Sequence, residues 1–165
     1  MDRDAITIVS GLPRSGTSMM MKMLEAGGMP VLTDNTRTAD EDNPQGYYEF
    51  EKVKRIECDS SWLELAKGKA VKMISALLEH LPRNYTYRII FMHRNMDEIF
   101  RKHLGQVEAW IDKQPNIAVL DVQYHEVLKD PLTQAQRVNQ FLGNVLNAED
   151  MARMVDHSLY RQRHP

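Results

Sequence analysis

The sequence predicts an α/β fold: a mostly parallel central sheet flanked by helices in three layers. Three observations lead there. Four short runs rich in β-branched or aliphatic residues lie at Ala5–Ser10, Ala70–Ile74, Arg88–His93 and Ile117–Val122. Most of their residues are apolar at successive positions rather than alternating, which suits strands covered on both faces. Helical spacing occupies the stretches between and after them, the signature of βα units. The 165 residues make about one domain's worth of chain at ~100–200 residues per domain, so residues 1–165 read as a single domain.

The elements follow in order. After the first strand, Ser18 to Ala26 carries helical spacing and is closed by Gly27-Gly28. Met19, Met20, Met21, Met23 and Met29 cluster around this helix; methionines there fill a core or line a flexible binding pocket. Two irregular stretches, Thr33 to Tyr47 and Asp59 to Lys69, interrupt the pattern. The first is strongly polar, with Asp34, Asp40, Glu41 and Asp42, and reads either as a functional loop or as a solvated acidic one. A helix over Phe50 to Cys58 separates them. Lys72 places a charge within the second apolar strand, where charges are unusual. After the third strand, Met96 to Lys113 carries Phe100, Leu104, Val107 and Ile111 as one apolar stripe, which should face the sheet. Pro131 suits the first position of a further helix, on which Ala135, Val138, Phe141 and Leu142 line one face before Gly143. Trp62 and Trp110 read as packing residues.

Composition narrows the function. Hydrophobic residues make up 42% and charged residues 27%, so the chain should bury a core rather than stay disordered. Lys and Arg number 21 against 23 Asp and Glu. A net charge of -2 supplies no global field to hold nucleic acid or an anionic membrane, and any anion site must be local. The apolar runs fall far below the ~20 residues that cross a bilayer. Acids at Asp2 and Asp4 stand where a signal peptide carries basic residues, so the chain is expected to begin directly with structure. The single cysteine, Cys58, excludes an internal disulfide and fits a reducing, cytoplasmic compartment.

The strongest local signal is Gly11-Leu12-Pro13-Arg14-Ser15-Gly16-Thr17-Ser18, after a strand and opening a helix. Such a turn aims several backbone N–H groups and the positive end of the helix dipole at one spot, a phosphate cradle. Gly11 and Gly16 permit dihedrals and close approach that side chains would block. Their spacing matches the Walker A frame, but Thr17 occupies the position of the lysine that an NTPase uses on the β- and γ-phosphates. Arg14 instead offers a cationic fork for one phosphate or a developing negative charge. Ile117 to Asp121, an apolar strand ending in Asp, resembles a magnesium-binding Walker B strand and points weakly to an NTPase. The fold expected from this turn is P-loop NTPase-like, with a nucleotide at the carboxyl ends of the strands.

Three separated pieces resemble the sulfotransferases that use 3′-phosphoadenosine 5′-phosphosulfate (PAPS). Residues 11 to 18 resemble the family's 5′-phosphosulfate loop in its Arg-containing form. Arg88-Ile-Ile-Phe-Met-His-Arg94-Asn95-Met-Asp97 resembles the strand and turn of the 3′-phosphate site, where Arg holds that phosphate. Tyr124-His-Glu126-Val-Leu-Lys-Asp130-Pro131 is similar to the family's Tyr-Glu-x-Leu-x-x-Asp-Pro segment. Three departures accompany the likeness. Lys102 stands where relatives place a Ser on the 3′-phosphate. The segment between Asp97 and Gln106 is shortened by a helix and loop, and the C-terminal glycine-rich nucleotide loop is absent, with Arg161 and Arg163 as possible substitutes beside the plainer reading of a solvated basic tail.

The resemblance implies transfer of a sulfuryl group from PAPS to a hydroxyl or amine, leaving the desulfated product PAP. It implies Gly11, Pro13, Arg14, Ser15, Gly16, Thr17 and Ser18 on the 5′-phosphosulfate and Arg94 on the 3′-phosphate. Arg14 would meet the charge that grows on the bridging oxygen. Glu49 is the chosen general base, since the turn Asn43 to Gly46 could present it inward; otherwise it is a surface glutamate favouring the start of the Phe50 helix. His93 is the second candidate base. Lys72 either reaches the sulfonate or emerges at the sheet edge. No metal is expected, because the six histidines show no ligand spacing with Cys or Asp. Two other readings stay open: a P-loop small-molecule or nucleotide kinase, which would need ATP and Mg²⁺, and a nonenzymatic nucleotide-binding remnant. Partners are then a small-molecule nucleotide donor and an acceptor, with no nucleic acid and no membrane; the sequence assigns neither the acceptor nor the oligomeric state.

Overall fold

A computed structural model describes residues 4–12, 15–34, 47–94 and 98–156, with the side chains of 98–104 excepted. Four strands, β1 (Ile6–Gly11), β2 (Ala70–Lys72), β3 (Tyr87–His93) and β4 (Ile117–Gln123), form one sheet in the order β2-β1-β3-β4. Every pairing is parallel. The continuous apolar runs explain this arrangement, because each strand has both faces to cover. β1 is buried at all six positions.

Strand alternation divides the core in two. Val9, Ile90, Met92 and Val122 face one layer, formed by α1 (Thr17–Ala26), α4 (Tyr124–Lys129), α5 (Pro131–Leu142) and α6 (Ala148–Arg153). Ile6, Ile8, Val71, Ile89 and Phe91 face the other, where α2 (Leu63–Ala66), α3 (Glu98–Ile111) and two 3₁₀ turns, Glu51–Arg55 and Ser75–His80, pack. The result is the three-layer α/β architecture expected from the sequence. Met20, Met21 and Met23 are fully buried against the first face, and Met19 and Met29 pack beside them, so the methionines of α1 are core. Trp62 lies buried against Phe50, their rings edge to face with centroids 5.7 Å apart.

Boundaries shift where tertiary pairing overrides local pattern. β2 spans only Ala70–Lys72; Met73 N still donates to the Val9 carbonyl at 3.0 Å, and the chain then enters the 3₁₀ turn at Ser75. The expected Phe50–Cys58 helix is only the five-residue 3₁₀ turn, preceded by an extended Phe50 whose ring is held by Trp62. The irregular stretch 59–69 contains the short helix α2. β4 runs through Asp121 to Gln123 instead of ending at the aspartate. α5 does begin at Pro131: the Asp130 side chain accepts from Thr133 N, and Gly143 closes the helix in the left-handed conformation. Val107 and Ile111 of the α3 stripe meet the second face, while Phe100 and Leu104 belong to side chains outside those described.

Met21 sits where α1 meets the sheet, with no exposed surface. Met21→Ala should lower the unfolding free energy by about 2–5 kcal/mol, read from urea denaturation at an unchanged slope. A loss below about 1 kcal/mol would mean that this interface closes over the cavity.

Candidate functional site

The site is built at the carboxyl ends of the strands. β1 ends at Gly11, which pairs with Met92, and β3 and β4 end together on the pair His93–Gln123. The residues immediately beyond that pair are Arg94 and Tyr124, which therefore emerge side by side. The Arg94 guanidinium carbon lies 5.1 Å from the centroid of the Tyr124 ring, within cation–π range.

Of the turn from β1 into α1, the structure describes Gly11, Leu12 and the residues from Ser15 onward. Ser15 N donates to Leu12 O at 3.1 Å, and Gly16, with φ 93° and ψ 16°, caps α1 in the left-handed conformation. Gly11 has φ 149°, and a Cβ there would come within 2.5 Å of Ser15 Oγ and 2.6 Å of the Met92 carbonyl. A Cβ on Gly16 would strike the Tyr124 ring at Cδ2 and Cε2. Both glycines are thus required by conformation and by space. Beneath the turn, Ser15 Oγ is buried with no hydrogen-bond partner among the described residues, a polar atom whose burial is costly unless something engages it. Thr17 and Ser18 open α1 with their N–H groups at the positive end of its dipole. Pro13 and Arg14 lie outside the described residues.

Glu49 is fixed by a set of contacts that converge on its own segment. Lys72 Nζ donates to the Tyr47 carbonyl and, at 3.3 Å, to Ser18 Oγ; Ser18 Oγ also lies 3.4 Å from the Tyr47 carbonyl. Tyr48 has φ 52°, uncommon for a residue with a side chain. Its hydroxyl donates to Glu25 at 2.6 Å. Burial first, and then that carboxylate, push the Tyr48 phenol well above its ordinary range. Thr33 Oγ1 and Asp34 N donate to the Glu49 carbonyl at 2.9 and 3.2 Å. Tyr48 packs against one core face and Phe50 against the other. Glu49, between them, turns its carboxylate to Lys72 at 4.0 Å and Lys54 at 3.7 Å. It directly precedes the extended Phe50 that caps the 3₁₀ turn Glu51–Arg55.

The structure therefore joins Glu49, Ser18 and Lys72 into one cluster beside α1, and Gly16 and Arg94 into a second around Tyr124. Lys72 is at the sheet edge yet only 14% exposed, because it points to the α1 face. Its polar network, Tyr47 and the ring of Tyr124 are features that sequence spacing does not display. The strand register carries the Tyr124 placement, and the only signal for it was the match of residues 124–131 to a family segment. His93 faces the opposite side of the sheet and bonds Asp121 at 2.5 Å. Asp121 lies on β4, separated from β1 by β3, and pairs in register with Phe91. The turn Asn43 to Gly46, Asp40, Glu41, Asp42, the Lys102 side chain, Arg161 and Arg163 lie outside the described residues. Among the described residues no three or more His, Cys, Asp or Glu gather as cation ligands, and no helix is long and apolar enough to cross a membrane.

A family model for the sulfotransferase domain matches residues 84–163, from the approach to β3 to the C-terminal segment. It takes in Arg94 and Tyr124 and supports the sulfotransferase resemblance; residues 11–18 lie outside it. No curated protein matches the chain. The unliganded structure of a sugar kinase from a Janibacter species covers 93% of this chain and 99% of its own at 7% identity and a TM-score of 0.43, a likeness too slight to bear on the argument.

The Gly16 geometry yields a paired test. Gly28 is also left-handed, at φ 98°, but nothing lies within 4 Å of a Cβ placed there. Gly28→Ala should cost roughly 1–2 kcal/mol of stability from backbone strain alone. Gly16→Ala adds the collision with Tyr124 and should cost clearly more in the same urea titration. Equal losses would show that the ring moves aside freely.

Proposed function

Starting from the sulfotransferase-domain match, we propose that this protein transfers a sulfuryl group from PAPS to a hydroxyl or amine acceptor and releases PAP. The observation that carries the reading is the meeting of the Gly11–Ser18 turn and Arg94 on one tyrosine ring at the carboxyl end of the sheet. These are two separate anion-binding stations, suited to a nucleotide with phosphate at both its 5′ and 3′ positions. The cradle that a Cβ would fill and the buried Ser15 hydroxyl support the fit.

PAPS supplies an activated sulfuryl group, and its departure leaves growing negative charge on the 5′-phosphate. In this reading the Gly16, Thr17 and Ser18 N–H groups hold that phosphate, with Gly11, Pro13 and Ser15 framing the turn. Arg14 stabilises the charge on the bridging oxygen, and Lys72 reaches the sulfonate. Arg94 holds the 3′-phosphate through its planar fork. Glu49 takes the proton from the acceptor hydroxyl or amine as the acceptor bonds to sulfur. The same reading makes residues 1–165 a single cytoplasmic domain that uses no metal.

Calorimetric titration with PAP, beside ATP with Mg²⁺, tests the assignment. Saturable PAP binding without metal is the expected result; binding of Mg·ATP alone would turn the reading to a kinase. PAP binding without sulfuryl transfer to a broad panel of hydroxyl and amine acceptors would leave a nucleotide-binding remnant.

Glu49→Gln preserves size while removing the basic carboxylate. PAP affinity should stay nearly unchanged while sulfuryl transfer falls by roughly 10²–10⁴-fold, the usual consequence of losing a general base. Full turnover in this variant would reduce Glu49 to a pairing partner of Lys54 and Lys72.

A further inference from the structure

We propose that Tyr124 is a positioning residue that sets both phosphate stations from a single ring, so that the 5′-phosphate turn and Arg94 are held as one unit. The inference rests on the sulfotransfer reading above and adds a residue to which that reading gives no task. Tyr124 is 8% exposed and follows the last residue of β4, while Arg94 follows the paired last residue of β3. Because the strands end in register, the ring lies beneath the guanidinium at 5.1 Å. Its Cδ2–Cε2 edge occupies the space that a side chain on Gly16 would need.

Each contact does different physical work. A ring beneath a guanidinium engages the cation through its face, at right angles to the plane in which its N–H groups donate, and so fixes the orientation of that plane. The same ring closes one wall of the turn and so limits the backbone to the left-handed Gly16 that opens α1. Tyr124 is itself immobilised, since it starts α4 and belongs to the core cluster that includes Met20, Met92 and Val127. A shift of the ring would therefore disturb Gly16 and Arg94 together. No contact between Tyr124 and the nucleotide is required; the ring acts through its two neighbours.

Calorimetry with PAP and with adenosine 5′-phosphate, which lacks the 3′-phosphate, separates the roles. The wild-type protein should prefer PAP, and Tyr124→Phe, which keeps the ring, should retain that preference. Tyr124→Leu should lose it by about 3- to 30-fold, the range that a ring–guanidinium contact supplies. It should also weaken adenosine 5′-phosphate through the turn. In an Arg94→Ala background, Tyr124→Leu should change the preference no further. An unaltered preference in Tyr124→Leu would overturn the proposal, as would an equal loss in Tyr124→Phe, which would assign the effect to the hydroxyl. A wild-type protein that does not distinguish the two ligands would instead overturn the sulfotransfer reading itself. If Tyr124→Leu does not fold, proton NMR of the wild-type protein decides: Arg94 side-chain resonances should be shifted upfield by the ring current, and random-coil values would refute the contact.

Discussion

The shared end point of the parallel strands is the constraint on which the site depends. β3 pairs with β1 on one side and β4 on the other, and its register with β4 runs unbroken from Tyr87–Ile117 to His93–Gln123. A slip of one residue would turn every side chain of β4 to the opposite face. Val122 would leave the core it shares with α1 and α5, and Tyr124 would no longer stand beside Arg94. The apolar packing that fixes the register is therefore also what fixes the ring beneath the guanidinium and against Gly16. Core and site are specified by the same pairing.

A second constraint acts at the other edge of the sheet. The Pro30–Leu32 segment bonds to Ala70 of β2, and Thr33 and Asp34 then take the Glu49 carbonyl. Lys72, pointing from the edge strand to the α1 side, draws in the Tyr47 carbonyl and the Ser18 hydroxyl. These bonds support the left-handed Tyr48, a conformation that costs on the order of 1–3 kcal/mol and persists only where neighbours fix it. The strain sits one residue before the carboxylate, and its effect is to carry the chain from one core face to the other with Glu49 at the crossing.

What could be read in advance follows from the range of the interactions. The sheet was legible because burial on both faces writes continuous apolar runs into the strands, and the strand-to-helix turn because glycines at 11 and 16 answer to local conformation. Pro131 and Gly143 announced the ends of α5 for the same local reason. The short β2, the 3₁₀ turn in place of a Phe50–Cys58 helix, and the Lys72 network were not legible. They depend on partners 12 to 63 residues away, which a periodicity cannot encode. Glu49 was legible as a candidate from the turn that precedes it, but its setting between two lysines comes only from the fold.

The lysine on β2 also shows why the two clusters are parts of one arrangement. Ser18 belongs to the first turn of the helix that Gly16 caps, so its bond to Lys72 ties the helix start to the Glu49 segment. On its other side the turn meets Tyr124 and, through it, Arg94. The helix start thus stands between an edge that carries a carboxylate and an edge that carries a guanidinium, with its own N–H groups at the middle. An anion seated there would meet the helix dipole first and the two side-chain groups from opposite sides. Glu49 itself lies between Lys54 and Lys72, so both sides of the helix start carry cationic groups, and the one carboxylate stands where two lysines hold it.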